Sequence, residues 1–348
     1  MTRVREFATT WGSPAPRMWF EREKEALIGS AAGAPEDMPN FRPFDMLREP
    51  NQSLLVLQNE DMRIGVENVT GTQPYFRRNS DFDTLYFQFA GTTVVETEYG
   101  VFEQKCGELL LVPKGIAQRS TGGPDCLRLY AFLHEPVEPL YTAEKHQSHT
   151  EFEMVRSGGP DWSARNGGVA RPPEGKVVER MYLWDEPEPT LVQRTTSYLI
   201  GTAAEGRGVT HYRPFDVFHE MTGKRGPGPM LMKSPVFFCE VYNTEGEQFA
   251  FHRALDSVEA WLQFRGDSIN ESEYGSVHLL PGEMNYAPVG VPHRVVGGEG
   301  FLRFVLYSQR PWEVLVNASM HEFECRYEVQ THEIQRAAWR DAPAPAGR

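Results

Sequence analysis

Residues Gly246–Gly266, GEQFAFHRALDSVEAWLQFRG, followed by Gly282–His293, GEMNYAPVGVPH, decide the architecture of this chain. The spacing runs Gly246, His252, Ala254, Glu259, Gly266, then Gly282, Pro288, Gly290, His293. Roughly 175 residues upstream, GTQPYFRRNSDFDTLYFQFAG (Gly71–Gly91) and GELLLVPKGIAQ (Gly107–Gln118) fit the same offsets. There Arg77, Asn79, Thr84 and Gln118 stand where the later copy has His252, Ala254, Glu259 and His293. A repeat of this period points to two copies of one structural unit. Only the later copy carries side chains that can bind a metal.

Strand patterns surround both copies. Leu85-Tyr-Phe-Gln-Phe and Thr92–Tyr99 alternate with period two, and Gly91 and Gly100 punctuate them. Gly107–Pro113 and Leu127–Leu133 complete the first set, and Val236–Asn243, Glu259–Phe264, Ser276–Leu280 and Phe301–Leu306 form the second. Many short strands without helix–strand alternation predict antiparallel jelly-roll barrels, an all-β fold with few peripheral helices. The expected organisation is an N-terminal arm at 1–50, a first barrel at 51–140 without metal, a connector at 141–210, a second barrel at 211–320 and a tail at 321–348. Residues 1–50, with the charged run Trp19–Ile28, read as a short helix or an arm packed on the body. The stretches GGPDWSARNGG and DEPEPT read as turn and loop material, and the tail, ending in DAPAPAGR, reads as disordered.

The two-part signature resembles that of the cupins, whose barrel is the double-stranded β-helix. On the strand Glu259-Ala-Trp-Leu-Gln-Phe, alternation turns Glu259, Trp261 and Gln263 to one side. A carboxylate facing a barrel interior is costly unless it is paired or bound to a cation. Closing the barrel brings His252, Glu259 and His293 together as two imidazoles and one carboxylate. That donor set leaves coordination positions open and suits Fe(II); Mn(II), Ni(II) or Zn(II) fits the same donors. Ala254 stands where many cupins have a further histidine. The plainer reading is a surface histidine, a solvated glutamate and a turn histidine. In the first barrel, a guanidinium at Arg77 repels a cation, so the barrel reads as structural; the sharper alternative is an acidic ligand held by Arg77.

The formal net charge of −13 argues against nucleic acid as a partner. Cys106, Cys126, Cys239 and Cys325 form no CxxC pair and read as reduced thiols. With no signal-like N-terminus and no apolar run of about 18 residues, a cytoplasmic, non-membrane protein is expected. A homo-oligomer is also expected, since barrel faces and arms commonly meet symmetric partners.

The run Tyr75-Phe-Arg-Arg-Asn-Ser-Asp-Phe-Asp-Thr-Leu-Tyr-Phe, with Val95-Glu-Thr-Glu-Tyr-Gly and Pro214-Phe-Asp-Val before His219, resembles the homogentisate 1,2-dioxygenases. The resemblance spans about residues 55–300 in order. It implies Fe(II) on His252, Glu259 and His293, an acid–base role for His219, and O2-dependent cleavage of a dihydroxylated aromatic ring. Homogentisate, a substituted hydroquinone, a gentisate-like acid or a catechol all fit. Two other functions remain: a non-oxygenase metal enzyme of isomerase or decarboxylase type, and a bicupin that only binds a small molecule. Tyr286 and Trp261 are candidates for an aromatic cavity wall, or for plain core. Arg253 and Arg294 should point away from the metal, and His211 and His278 read as structural.

Overall fold

The structure is a computed structural model, and it describes residues 3–11, 13–23, 38–97, 100–140, 153–158, 176–195, 207–214, 230–243, 245–248, 250–272 and 275–315. Among these residues the regular structure is β throughout, apart from one 3-10 turn at Pro43–Met46. The strands form four sheets, which close pairwise into two barrels. Each barrel repeats the same strand order. In the first, Asp83–Ala90 runs between Leu109–Val112 and Leu127–Leu133; in the second, Val258–Arg265 runs between Met284–Ala287 and Leu302–Ser308. The fold is therefore an all-β, duplicated jelly roll.

Period-two alternation does most of the building. On Val258–Arg265, Glu259, Trp261 and Gln263 face into the second barrel, while Ala260, Leu262 and Phe264 face the other way into the main hydrophobic core. On Asp83–Ala90, Tyr86 turns into the first barrel, and Leu85 and Phe87 into that same main core. The largest apolar cluster thus lies between the barrels, not within either one. Phe87 stacks on Phe304 at 4.9 Å and meets Phe264 edge-on at 5.2 Å. Gly91 and Gly266 end the equivalent strands with φ of 67° and 60°. At Gly266 a Cβ would stand 2.7 Å from the Glu299 carbonyl oxygen, so only glycine fits this turn.

The two arms are exchanged. The N-terminal strand Arg3–Thr10 pairs in parallel with Phe251–Ala254 of the second barrel, and Asn40–Phe41 pairs with Met284–Ala287. Lys176–Tyr182, in the region read from sequence as connector, pairs in parallel with Phe76–Asn79 of the first barrel, and Val209–Arg213 pairs with Leu109–Val112. The attachments match residue for residue. Buried Glu6 pairs with Arg253, and buried Glu179 pairs with Arg78 at 2.6 Å. The Trp11 amide donates to Asp256 at 2.8 Å, and the Trp184 amide to Asp81 at 3.0 Å. The repeat is thus longer than the signature alone implies, because each half brings its own arm.

The N-terminal stretch, expected as a short helix or an arm packed on the body, is a hairpin of Arg3–Thr10 with Ser13–Glu23 whose first strand pairs with the second barrel. DEPEPT, expected as turn and loop material, lies at the turn of the hairpin Lys176–Tyr182/Thr190–Thr195. No α-helix stands among the described residues, in keeping with an all-β fold. Most of GGPDWSARNGG, and the tail from 316 onward, lie outside the described residues. Among the described residues no helix is long and apolar enough to cross a membrane.

Removing one partner of a buried ion pair strands the other charge, at about 3–5 kcal/mol. Glu6→Ala and Glu179→Ala are each expected to lower the denaturation midpoint by a corresponding amount. The double change Glu6→Leu/Arg253→Met should recover most of the loss in the same urea titration.

Candidate metal centre

Three strands of the second barrel deliver the metal-type side chains to one point. His252 on Phe251–Ala254 lies directly opposite His293 on His293–Gly297 in an antiparallel pair. The tight turn before His293 is anchored by the Gly290 amide, which donates to the Ala254 carbonyl at 2.8 Å. Glu259 reaches in from Val258–Arg265. Its Oε2 lies 3.4 Å from His293 Nε2 and 3.8 Å from His252 Nε2. The candidate ligand atoms of all three residues lie within 4.8 Å of one another. Two ligands on one ion, each at about 2.1 Å, sit about 3 Å or more apart, so this spacing suits a shared cation. Among the described residues it is the one such cluster of three or more metal-type side chains.

The protonation pattern fits a metal. His293 Nδ1 lies 3.0 Å from the Val291 carbonyl, which directs a proton to that nitrogen and leaves the Nε2 lone pair facing Glu259. That Nε2 is buried and has no hydrogen-bond partner. A buried imidazole nitrogen with a free lone pair is a group that a bound cation would satisfy. Burial holds His252 below its usual range, and the neighbouring His293 adds to this against the pull of Glu259. Burial opposes ionisation of Glu259, yet the two imidazoles outweigh it and hold its carboxyl well below the usual carboxylate range. The cluster therefore presents one anionic oxygen beside a His252 held towards its neutral form and the Nε2 of His293.

Aromatic rings surround the cluster. The N-terminal strand places Phe7 on the His252 ring at 5.6 Å, stacked at 19°. Trp261 lies 5.2 Å from His293. Tyr307 stands opposite Glu259 across the sheet, Phe238 stacks on it at 4.1 Å, and Trp11 lies 5.0 Å from Phe238. Deeper in, Arg303 lies over Trp261 and donates to Ser268 and Asn270, each at 2.8 Å. Burial pushes its guanidinium down to about 9. Sequence reasoning missed Phe7 and Trp11, which lie some 245 residues from the motif they contact. It also missed Tyr307 and Arg303, whose strand read only as core. The repeat held the one available signal for Arg303: Arg128, at the same offset, lies over Tyr86 in the first barrel.

The remaining candidates fall out as follows. Arg294 pairs with Glu247 and Glu271, and Arg253 with Glu6, so both guanidinia are held away from the cluster. Tyr286 is no wall of this cavity: it sits opposite Ala260 and belongs to the core between the barrels, beside Trp312. Buried His211 meets Glu108 at 2.7 Å, and exposed His278 meets Asp267 at 2.7 Å. His219 lies outside the described residues. In the first barrel, Arg77 is held between the rings of Phe132 and Tyr182 and donates to Asn79 at 2.8 Å; Asn79 in turn donates to Thr84. A guanidinium and amides there replace the donors of the second barrel.

No protein-family model and no curated protein matches the chain. Solved structures of similar outline include a cupin 2 conserved barrel domain protein from Leptotrichia buccalis, at 9% identity over 81% of this chain and 97% of that one, TM-score 0.45. A salicylate 1,2-dioxygenase from Pseudaminobacter salicylatoxidans matches at 12% identity over 79% and 85%, TM-score 0.46. A mutant oxalate decarboxylase of Bacillus subtilis matches at 13% identity over 86% and 89%, TM-score 0.45. The likeness is one of outline; the architecture rests on the strand order described above.

The cluster is expected to take one divalent ion per chain. After anaerobic Fe(II) loading and desalting, elemental analysis should give about one equivalent for the parent and close to none for His293→Ala or Glu259→Ala. Gln118→Ala, at the matching position of the first barrel, should leave the stoichiometry unchanged. Chelation should lower the melting temperature of the parent but not of His293→Ala, since an ion that binds only the folded chain stabilises it.

Proposed function

We propose that this chain is a metal-dependent cupin enzyme whose reaction takes place in the second barrel, and that the reaction is O2-dependent ring cleavage of a dihydroxylated aromatic. The observation that carries the reading is the donor set itself. His252, Glu259 and His293 converge, and Ala254, which faces no ligand role, leaves the count at three. Three donors leave room for a substrate oxygen and for dioxygen, as in the two-histidine, one-carboxylate non-haem iron sites. Fe(II) held there would supply activation of both the bound hydroxyl oxygen and O2.

The chain's own residues do the rest. Phe7 lies against the His252 ring and Trp261 beside His293, an aromatic setting that suits an aromatic substrate. The buried setting of Glu259 and His293 would keep bulk water from a bound ion and strengthen the charge interactions around it. The Val291 carbonyl holds His293 in the tautomer that a ligand needs. The resemblance to homogentisate dioxygenases makes homogentisate, hydroquinones and gentisate-like acids the first substrates to try. It also makes His219 the candidate base for the substrate hydroxyl.

A second reading has one observation in its favour. Glu240, a buried carboxyl hydrogen-bonded by a phenol, lies in the same barrel and suits proton-transfer chemistry on Mn(II) or Zn(II), of the isomerase or decarboxylase kind. Anaerobic Fe(II) reconstitution, followed by oxygen-electrode and ultraviolet measurements with a panel of dihydroxyaromatics, separates the two. Ring cleavage predicts oxygen uptake in step with a new ultraviolet band. If no aromatic in a broad panel drives uptake, ring cleavage fails and the second reading stands. His219→Ala is expected to keep its iron and lose most turnover; unchanged turnover removes His219 from the mechanism.

A further inference from the structure

The buried carboxylates among the described residues meet an arginine or a histidine, with one exception. Among the described residues, Glu6, Glu108, Glu179, Glu247, Glu271 and Glu283 each meet an arginine or a histidine, as Asp83 meets Arg207 and Glu259 meets the two imidazoles. Glu240 is 6% exposed, and its hydrogen-bond partner is the Tyr307 hydroxyl. Leaving a lone carboxylate in such surroundings costs several kcal/mol, so the group keeps its proton instead.

The position of this acid matters. Glu240 lies opposite Val305 across the sheet, and Val305 lies opposite Trp261, so all three face the interior of the second barrel. Tyr307 stands opposite Glu259 on the same face. The Tyr307 hydroxyl donates to Glu240, and Tyr307 shares its face of the sheet with Glu259. The groups that face Glu240 are Tyr307 and Arg303 from Leu302–Ser308, Glu259 from Val258–Arg265, and Tyr242 from its own strand. On the flanking strand Met230 stands opposite it, and Lys233 is exposed. Arg303 is already engaged by Ser268 and Asn270. Burial, above all, pushes the Glu240 carboxyl up to about 8; the Tyr307 hydrogen bond opposes this and the charge of Glu259 adds to it.

We propose that Glu240 is a protonated carboxylic acid and that it delivers its proton to the second-barrel site through the Tyr307 hydroxyl. The proposal rests on the reading that this barrel is the active one. Tyr307 gives its hydroxyl proton to an oxyanion developing on the substrate, and Glu240 gives its own proton to the Tyr307 oxygen. One proton moves two places. The substrate oxygen ends as a neutral hydroxyl, Glu240 ends as a carboxylate, and water later restores the acid. No electrons change hands, so the relay serves ring opening and proton-transfer chemistry alike.

The test uses the full chain loaded with Fe(II), with Glu240→Gln and Tyr307→Phe. The infrared difference between parent and Glu240→Gln at pH 7 should contain a protonated-carboxyl C=O stretch; its absence overturns the proposal. Both variants should bind one Fe(II) and take up substrate anaerobically as the parent does, while kcat falls by about 100-fold, the scale of a lost general acid. In the parent, kcat should fall on an alkaline limb as Glu240 loses its proton, and Glu240→Gln should lose that limb. Unchanged kcat in both variants overturns the relay. If Glu240→Gln fails to fold, Tyr307→Phe carries the kinetic arm, and the infrared difference between parent at pH 7 and pH 10 carries the other. If the parent turns over no aromatic, ring cleavage fails while the infrared band still decides the state of Glu240.

Discussion

The buried pairing of Glu6 with Arg253, repeated as Glu179 with Arg78, is the constraint on which this architecture depends. Each pair fastens an arm from one half of the chain to the barrel of the other. A buried ion pair adds little net stability, because desolvation offsets the attraction. Its effect is on register. A strand slipped by one residue would put a guanidinium in the core without its carboxylate and turn Phe7 away from His252. With the pair in place, Phe7 lies beside His252 in the parallel ladder, and the arm becomes part of the site's wall.

The second constraint is the core between the barrels. Because the outward faces of the central strands bury Phe87, Phe264 and Phe304 against one another, each barrel's interior is free of the task of holding the molecule together. The interiors can then diverge. The first carries Arg77 clasped by two rings and an amide network through Asn79 and Thr84. The second carries imidazoles, a deprotonated Glu259 and a Glu240 that burial drives towards its neutral form. Two carboxyls in one barrel are pushed in opposite directions by what stands next to them: imidazoles for one, a phenol and apolar strands for the other.

Much of this was legible beforehand in particular residues. The glycines of the two signatures mark turns that only glycine can make, as at Gly266, and the alternation on Glu259–Phe264 assigns its faces correctly. The exchange of Arg77, Thr84 and Gln118 for His252, Glu259 and His293 told the two barrels apart. The arms were harder. Trp19–Ile28 is charged enough to suggest a helix, and 176–195 is punctuated enough to suggest a loop, because strand propensity is weak without the sheet that pairs with it. Tyr286 was ambiguous for a related reason: on a strand buried on both faces, residue type does not say which side is the cavity.

By itself, the sequence determined what is local or periodic: strands, turns, the duplication, and which copy holds donors able to bind a cation. Those follow from rules that act over a few residues or repeat at fixed spacing. The tertiary structure alone decided what depends on distant partners. It joined residue 7 to residue 252 and residue 179 to residue 78, and it left Glu240 with a phenol where the other buried acids described have arginines or histidines. Charge state and contact across hundreds of residues are properties of the surroundings, and the surroundings exist only once the chain has closed.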